Sequence, residues 1–208
     1  MQRVALFLSP RAEQIMAMPA QASPIRRWTL EEFYEARDAA PQGVRYELVD
    51  GEILVTPAPH WPHQRIAAEL FVLLHAYLRA QPLGEVFLSP VDVKLEPNLV
   101  LQPDIFVVPQ GLLRKRSDIV NRLLLAAEVI SPSSARHDRV RKRPVYQRNR
   151  VPEYWVIDDR AQLVERWRPD DDRPEIVSEV LEWRPEGAGE AFVLDLPKFF
   201  AEFLPEDD

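Results

Sequence analysis

The chain has 208 residues, a formal net charge of −7, no cysteine, 20 prolines and 6 glycines. That length suits one domain, with or without appendages, and can bury a core without covalent staples. The missing cysteines exclude a disulfide framework, a thiolate zinc site and a cysteine nucleophile, and the net negative charge argues against an indiscriminate nucleic-acid binder. The opening MQRVALFLSP holds a five-residue apolar run, short of the roughly 7–15 residues of a secretory signal. Nothing approaches the ~18 apolar residues of a membrane span. The expectation is a cytoplasmic protein with no membrane partner: a poorly ordered extension, or else a short docked segment, over 1–25, with Met18 as an alternative start, then a single domain over 26–208.

Thr29-Leu30-Glu31-Glu32 has the form of a capping box and predicts a helix to about Asp38. Val44–Val49 and Glu52–Thr56 predict two strands around an Asp50-Gly51 hairpin turn. Trp61–Arg79 predicts a long helix, with Pro62 in its first turn and Ile66, Leu70, Leu73, Leu74 and Tyr77 as its apolar stripe. Glu85–Leu88, Val91–Leu95 and Ile105–Val108 predict strands. Leu123–Ile130 (LLLAAEVI) is apolar apart from one acid, the pattern of a strand buried on both faces. A basic helix is predicted over 134–149, strands at Glu153–Ile157, Leu163–Trp167 and Ile176–Leu181, and a last helix over Lys198–Leu204. The order predicts an α/β (α+β) mixed sheet with helices packed against it.

No glycine-rich phosphate loop, GxSxG or HExxH is present. Three positions carry chemistry instead. Glu128 is the lone acid inside LLLAAEVI. Burying an ionised carboxylate without a partner costs several kcal/mol, so either an arginine or backbone donor satisfies it, or it binds a cation. Asp104 follows Pro103 at the mouth of the 105–108 strand, where it is either a turn residue or, if that strand neighbours Glu128, a second carboxylate for the same site. Two such oxygens suit Mg²⁺, which keeps several waters. Lys142 is one of four lysines among 22 arginines. Asp138, Lys142 and Tyr146 lie at i, i+4 and i+8, so a helix presents them on one face; the simpler reading of Asp138 and Lys142 is a surface ion pair. His60 and His63 stand three apart with no third ligand suggested nearby, a pattern more often of capping or packing than of metal binding.

Charge is segregated along the chain. Residues 1–99 carry −3, residues 100–150 carry +7, and residues 151–208 carry −11. The stretch 136–150 holds seven basic residues, and Arg136, Arg139, Arg141 and Arg143 are candidate DNA contacts, since phosphate contacts dominate DNA affinity. The alternative is an ordinary solvated helix face.

Tyr46-Glu47-Leu48-Val49-Asp50-Gly51-Glu52, His63, Pro103-Asp104, Glu128-Val129-Ile130-Ser131-Pro132-Ser133, Asp138, Lys142, Tyr146 and Val151-Pro152-Glu153-Tyr154-Trp155-Val156-Ile157-Asp158 together resemble the Uma-type restriction-endonuclease family, long catalogued as a domain of unknown function. The match runs in order over about residues 28–204. The resemblance implies a restriction-endonuclease-like fold of the PD-(D/E)XK nuclease superfamily and a Mg²⁺-dependent DNA endonuclease, with Mn²⁺ as a substitute ion. Asp104 and Glu128 match its metal-holding acids. Its lysine normally stands two residues after the second acid, where this chain has Ile130, and Lys142 from the following helix takes that place. Glu47, with His63, Asp138 and Tyr146, is a candidate supporting residue. By analogy with nucleases of this fold, DNA is the expected partner and a homodimer a plausible assembly. Two departures stand out. Arg150 replaces a glycine that usually precedes the Val-Pro-Glu-Tyr-Trp run, and Pro144 follows Lys142 closely enough to delay or bend the helix. The alternatives are a catalytically silent nuclease-fold module that binds nucleic acid or a partner protein, and, more remotely, an unrelated metal-dependent hydrolase acting on a small phosphorylated substrate.

Overall fold

The computed structural model describes residues 27–40, 43–56, 58–131 and 134–203; the expectations for residues 1–25, Met18 and Leu204 fall outside them. Thr29 caps helix α1 (Leu30–Asp38) with the reciprocal hydrogen bonds of a capping box to Glu32. Strands β1 (Arg45–Val49) and β2 (Glu52–Thr56) form an antiparallel hairpin. Asp50 (φ 51°) and Gly51 (φ 78°) both take positive φ, as a type I′ turn requires. Helix α2 (Trp61–Ala80) follows, with Pro62 in its first turn.

The central sheet has six strands in the order β3-β4-β5-β6-β7-β8: Gly84–Leu88, Ile105–Pro109, Leu125–Val129, Tyr154–Asp158, Leu163–Trp167 and Glu175–Val177. Its pairs are antiparallel except β5 with β6, which is parallel. A parallel pair needs a crossover. Here it contains a π-helical segment (His137–Lys142) that runs directly into helix α3 (Arg143–Arg148). A separate hairpin of β9 (Val180–Trp183) and β10 (Phe192–Asp195) leads into α4 (Leu196–Phe203). The result is a mixed sheet flanked by helices.

Alternation along β4 and β5 explains why both read as continuous apolar runs. Ile105, Val107, Leu125, Ala127 and Val129 point to one side, into a core with α2, α4 and the β9–β10 hairpin. Phe106, Val108 and Ala126 point to the other, packing with Val145, Tyr146, Val49 and Leu54 from α3 and the β1–β2 hairpin. A third cluster seats α1 on β1 through Phe33, Leu48 and Val100.

Four details differ from the sequence expectations. Val91–Leu95 is no strand: only Val93 pairs, through isolated bridges to Leu101 and Val120. The strand expected over Ile176–Leu181 divides into β8 and β9, which belong to different sheets, and β10 adds a strand with no counterpart in the sequence reading. The stripe of α2 is Ile66, Ala67, Leu70, Leu74 and Leu78, whereas Leu73 is exposed, because the helix's contact face is rotated by part of a turn. Helix α4 begins at Leu196, with Pro197 in its first turn, a position that tolerates proline because the missing N–H has no intrahelical partner there.

Candidate functional site

Asp104 and Glu128 stand side by side. Ile105 pairs with Ala127 across β4 and β5, so one further step in register brings Asp104 level with Glu128 on the α3 side of the sheet. Both are buried, at 4% and 2% exposure. The crossover lays Asp138, Lys142 and Tyr146 over Glu128, all three also buried. The i, i+4, i+8 spacing therefore presents one face as expected, but that face is turned inward. The simpler expectation of a surface ion pair between Asp138 and Lys142 is thus corrected: the pair exists, at 3.2 Å, inside the protein.

Pro144 explains the π-helical segment. In a continuous α-helix its ring would crowd the carbonyl of Val140 and its missing N–H would leave that carbonyl unpaired. The chain instead widens by one residue per turn, with the Arg143 N–H bonding the Asp138 carbonyl. Pro144 then falls in the first turn of α3, where the missing N–H is harmless. Segments of this kind are frequent at functional sites.

Lys142 Nζ lies 3.0 Å from Glu128 Oε1, 3.2 Å from Asp138 Oδ1 and 2.7 Å from Glu47 Oε2. The last is an ion pair without the alignment of a hydrogen bond. Burial alone would lower the Lys142 pKa, but Glu128, Glu47 and Asp138 outweigh it and hold the ammonium well above the usual lysine range. Lys142 is thus a fixed cation at neutral pH, unsuited to act as a general base. Burial pushes the Glu128 carboxyl up; Lys142 opposes this, while Asp104, Asp138 and Glu47 add to it. Tyr146 Oη donates to Glu128 Oε1 at 3.3 Å, and burial raises its pKa.

Asp104 is held differently. Its Oδ2 accepts the Val129 backbone N–H at 2.9 Å and lies 3.0 Å from His63 Nε2. Its Oδ1 accepts Arg45 Nη2 at 2.7 Å. Burial opposes ionisation, but the His63 hydrogen bond and the charges of His63, Arg45 and Lys142 hold the carboxyl far below its usual range. Glu47 Oε1 accepts the Gln102 backbone N–H at 2.7 Å, which fixes the third acid.

Sequence reasoning missed Arg45. Its Nη1 donates to the Gln102 carbonyl at 2.9 Å and lies 3.9 Å from Glu128 Oε2. The available signal was the period of two on β1, which sets Arg45 and Glu47 on one face. His60 precedes α2 without a side-chain capping bond, and His63 bonds Asp104, so neither histidine caps the helix.

A cavity of about 470 Å³ opens over these groups, lined by Arg45, Asp104, Glu128 and Lys142, with Trp61 and Arg160 also in its wall. Glu128 lines it, and its Oε2 makes no hydrogen bond among the described residues, where Lys142 and Tyr146 both bind Oε1. The donor set suits a hard divalent cation. Four buried acidic groups (Glu47, Asp104, Glu128, Asp138) face two fixed cations (Lys142, Arg45), so acids outnumber the fixed cations at the site. No three Asp, Glu or His side chains among the described residues already form a metal-binding set, and Mg²⁺ needs only one or two carboxylates beside its waters.

The basic run is largely spent internally. Arg139 pairs with Glu165 at 2.6 Å and Asp158 at 3.2 Å, and Arg141 pairs with Glu52 at 2.6 Å. Arg143 donates to Gln147 and lies over the Trp167 ring. Arg136 is exposed and makes no hydrogen bond or ion pair among the described residues.

The family model described as "Putative restriction endonuclease" (Uma2) matches residues 30–196. The chain belongs to the Uma2 family. No curated protein matches it. Among solved structures, the Uma2 chain is similar to a crystal structure of "a putative nuclease belonging to DUF820" from Anabaena variabilis ATCC 29413, with a TM-score of 0.69 and 22% identity, covering 85% of this chain and 99% of the other. At that identity the likeness establishes the fold, a nuclease fold. Uma2 membership supports a nuclease-like function.

Proposed function

We propose that the protein is a Mg²⁺-dependent DNA endonuclease of a single restriction-endonuclease-like domain, with its site at the end of β4 and β5. The observation that carries this reading is the pair of buried carboxylates Asp104 and Glu128, level across β4 and β5 in the wall of one cavity, with Glu128 Oε2 making no hydrogen bond among the described residues. Asp104 and Glu128 would hold the ion, Mg²⁺ or Mn²⁺; bound there, it supplies a more acidic water and neutralises charge on the scissile phosphate. Lys142 keeps Glu128, Glu47 and Asp138 in register and adds fixed positive charge beside the cavity, where negative charge develops during hydrolysis. Tyr146 and His63 hold one oxygen of Glu128 and of Asp104, leaving orientation of the carboxylates to the protein rather than to the ion. Among the four arginines singled out from the sequence, Arg136 is the one free to reach a phosphate. Glu128→Gln and Asp104→Asn are expected to abolish nicking of supercoiled plasmid in Mg²⁺ or Mn²⁺ while the circular dichroism spectrum stays that of the parent. Undiminished nicking by either variant overturns the assignment.

A catalytically silent nuclease-fold module draws support from one observation: Arg45 already neutralises Asp104. It predicts plasmid binding in a gel-shift experiment with no nicking in any divalent ion.

A further inference from the structure

A buried carboxylate that awaits a cation costs free energy until the cation arrives. Arg45 offsets that cost here. Its guanidinium reaches Asp104 Oδ1 at 2.7 Å, the Gln102 carbonyl at 2.9 Å and the neighbourhood of Glu128 Oε2 at 3.9 Å. One fork thus spans both carboxylates of the site. Its side chain is 14% exposed and lines the cavity, so it has an open side toward solvent. It sits on β1, in a hairpin outside the central sheet, whereas Asp104 and Glu128 are held by β4 and β5. The carboxylates are therefore anchored to the rigid sheet, and the cation between them hangs on a long, rotatable side chain from another element.

We propose that Arg45 is a resident counter-cation that competes with the divalent ion for Asp104, so that loading the site requires this guanidinium to release the carboxylate. The inference rests on the assignment of Asp104 and Glu128 as the ion-holding pair. The released guanidinium keeps its place at the cavity wall, where its planar set of donors matches a phosphate group. Arg45 is a positioning residue on this account: it acts through Asp104.

A purely structural arginine and a competing one predict opposite signs. Removing a structural arginine loosens the site and weakens ion binding. Removing a competitor strengthens it, because a charge-assisted hydrogen bond no longer has to be broken. Isothermal titration of Mn²⁺ into the full chain separates the two. Arg45→Met is expected to bind Mn²⁺ about tenfold tighter than the parent, the equivalent of roughly 1.4 kcal/mol, and to melt lower than the parent without ion. Its melting temperature should rise more on adding Mn²⁺ than the parent's does. Arg45→Lys restores a charge that pairs with Asp104 but cannot bridge both carboxylates, and should give an intermediate affinity. This variant also serves if Arg45→Met does not fold. Mn²⁺ affinity unchanged or weakened in the Arg45 variants, while Asp104→Asn and Glu128→Gln bind Mn²⁺ poorly, overturns the competition and leaves the site assignment standing. Parent-like affinity in Asp104→Asn and Glu128→Gln overturns the site assignment itself.

Discussion

Lys142 has three protons and three carboxylates within 3.2 Å. A single buried ammonium thus neutralises acids contributed by β1, β5 and the crossover. Removing one member of a buried ionic group leaves the others uncompensated, at a typical cost of about 3–5 kcal/mol. Lys142→Met is accordingly expected to lower the free energy of unfolding in urea by about that amount, well beyond the effect of a typical surface substitution. A loss under 1 kcal/mol would mean that the acids are neutralised some other way. Glu128 could be recognised from the chain alone, as the one acid in an apolar strand. Arg45 could not, because an arginine in a half-exposed hairpin looks ordinary until the strand it faces is known.

At the scale of elements, the two departures of this chain from the family pattern were visible in the sequence, but not how the chain accommodates them. Pro144 produces a π-helical segment and leaves Lys142 aimed at Glu128. Arg150 takes φ 54° as the left-handed residue ending α3, with its own N–H bonded to the Gln147 carbonyl and the Val151 N–H bonded to the Tyr146 carbonyl. These two bonds make a Schellman ending, in which glycine is usual. A side chain in that conformation costs about 1–2 kcal/mol, part of which glycine's extra unfolded-state entropy cancels. Arg150→Gly is expected to stabilise the fold by roughly 0.5–1 kcal/mol in urea unfolding. Loss of the exposed Arg150–Asp170 pair subtracts little, because surface ion pairs contribute ~0–1 kcal/mol. A decrease in stability would show that this ion pair outweighs the backbone strain. Val91–Leu95 illustrates the opposite limit. Its alternation is that of a strand, yet it finds only bridge partners, since strand formation depends on an available neighbour as well as on local pattern.

Across the whole molecule, long-range ion pairs connect segments that the sequence keeps far apart. Arg148, at the end of α3, joins Asp50 in the hairpin turn to Glu96 in the loop before β4. The hydrogen bond from Arg148 lowers the Glu96 carboxyl below its ordinary 4.5, with burial opposing and Asn149 assisting. A carboxyl lowered by folding contributes stability above its unfolded value and loses it as pH falls through its folded value. Glu96→Gln should therefore be less stable than the parent at neutral pH, and the difference should shrink as the pH drops below 4.5. Urea unfolding across that range checks this; a difference independent of pH would remove the ionic explanation. The same scale resolves the charge segregation. Arg139 pairs with Asp158 and Glu165, and Arg150 with Asp170, so part of the basic segment is neutralised by the acidic C-terminal third. No helix among the described residues is long and apolar enough to cross a membrane.

The sequence by itself determined the mixed sheet, the α1 cap, the hairpin turn, and the identity of Glu128, Asp104 and Lys142 as the residues to watch. The sheet, the cap, the turn and Glu128 follow from local rules (capping geometry, alternation, and the cost of a carboxylate among apolar neighbours), whereas Asp104 and Lys142 stand out through the family resemblance. The tertiary structure alone decided that Asp104 stands level with Glu128, that Lys142 is shared among three acids, that Arg45 lies between the two carboxylates, and which arginines remain free. Each of these depends on strand register and on pairing between residues distant in the chain, where position in space, rather than residue type, sets the electrostatic energy.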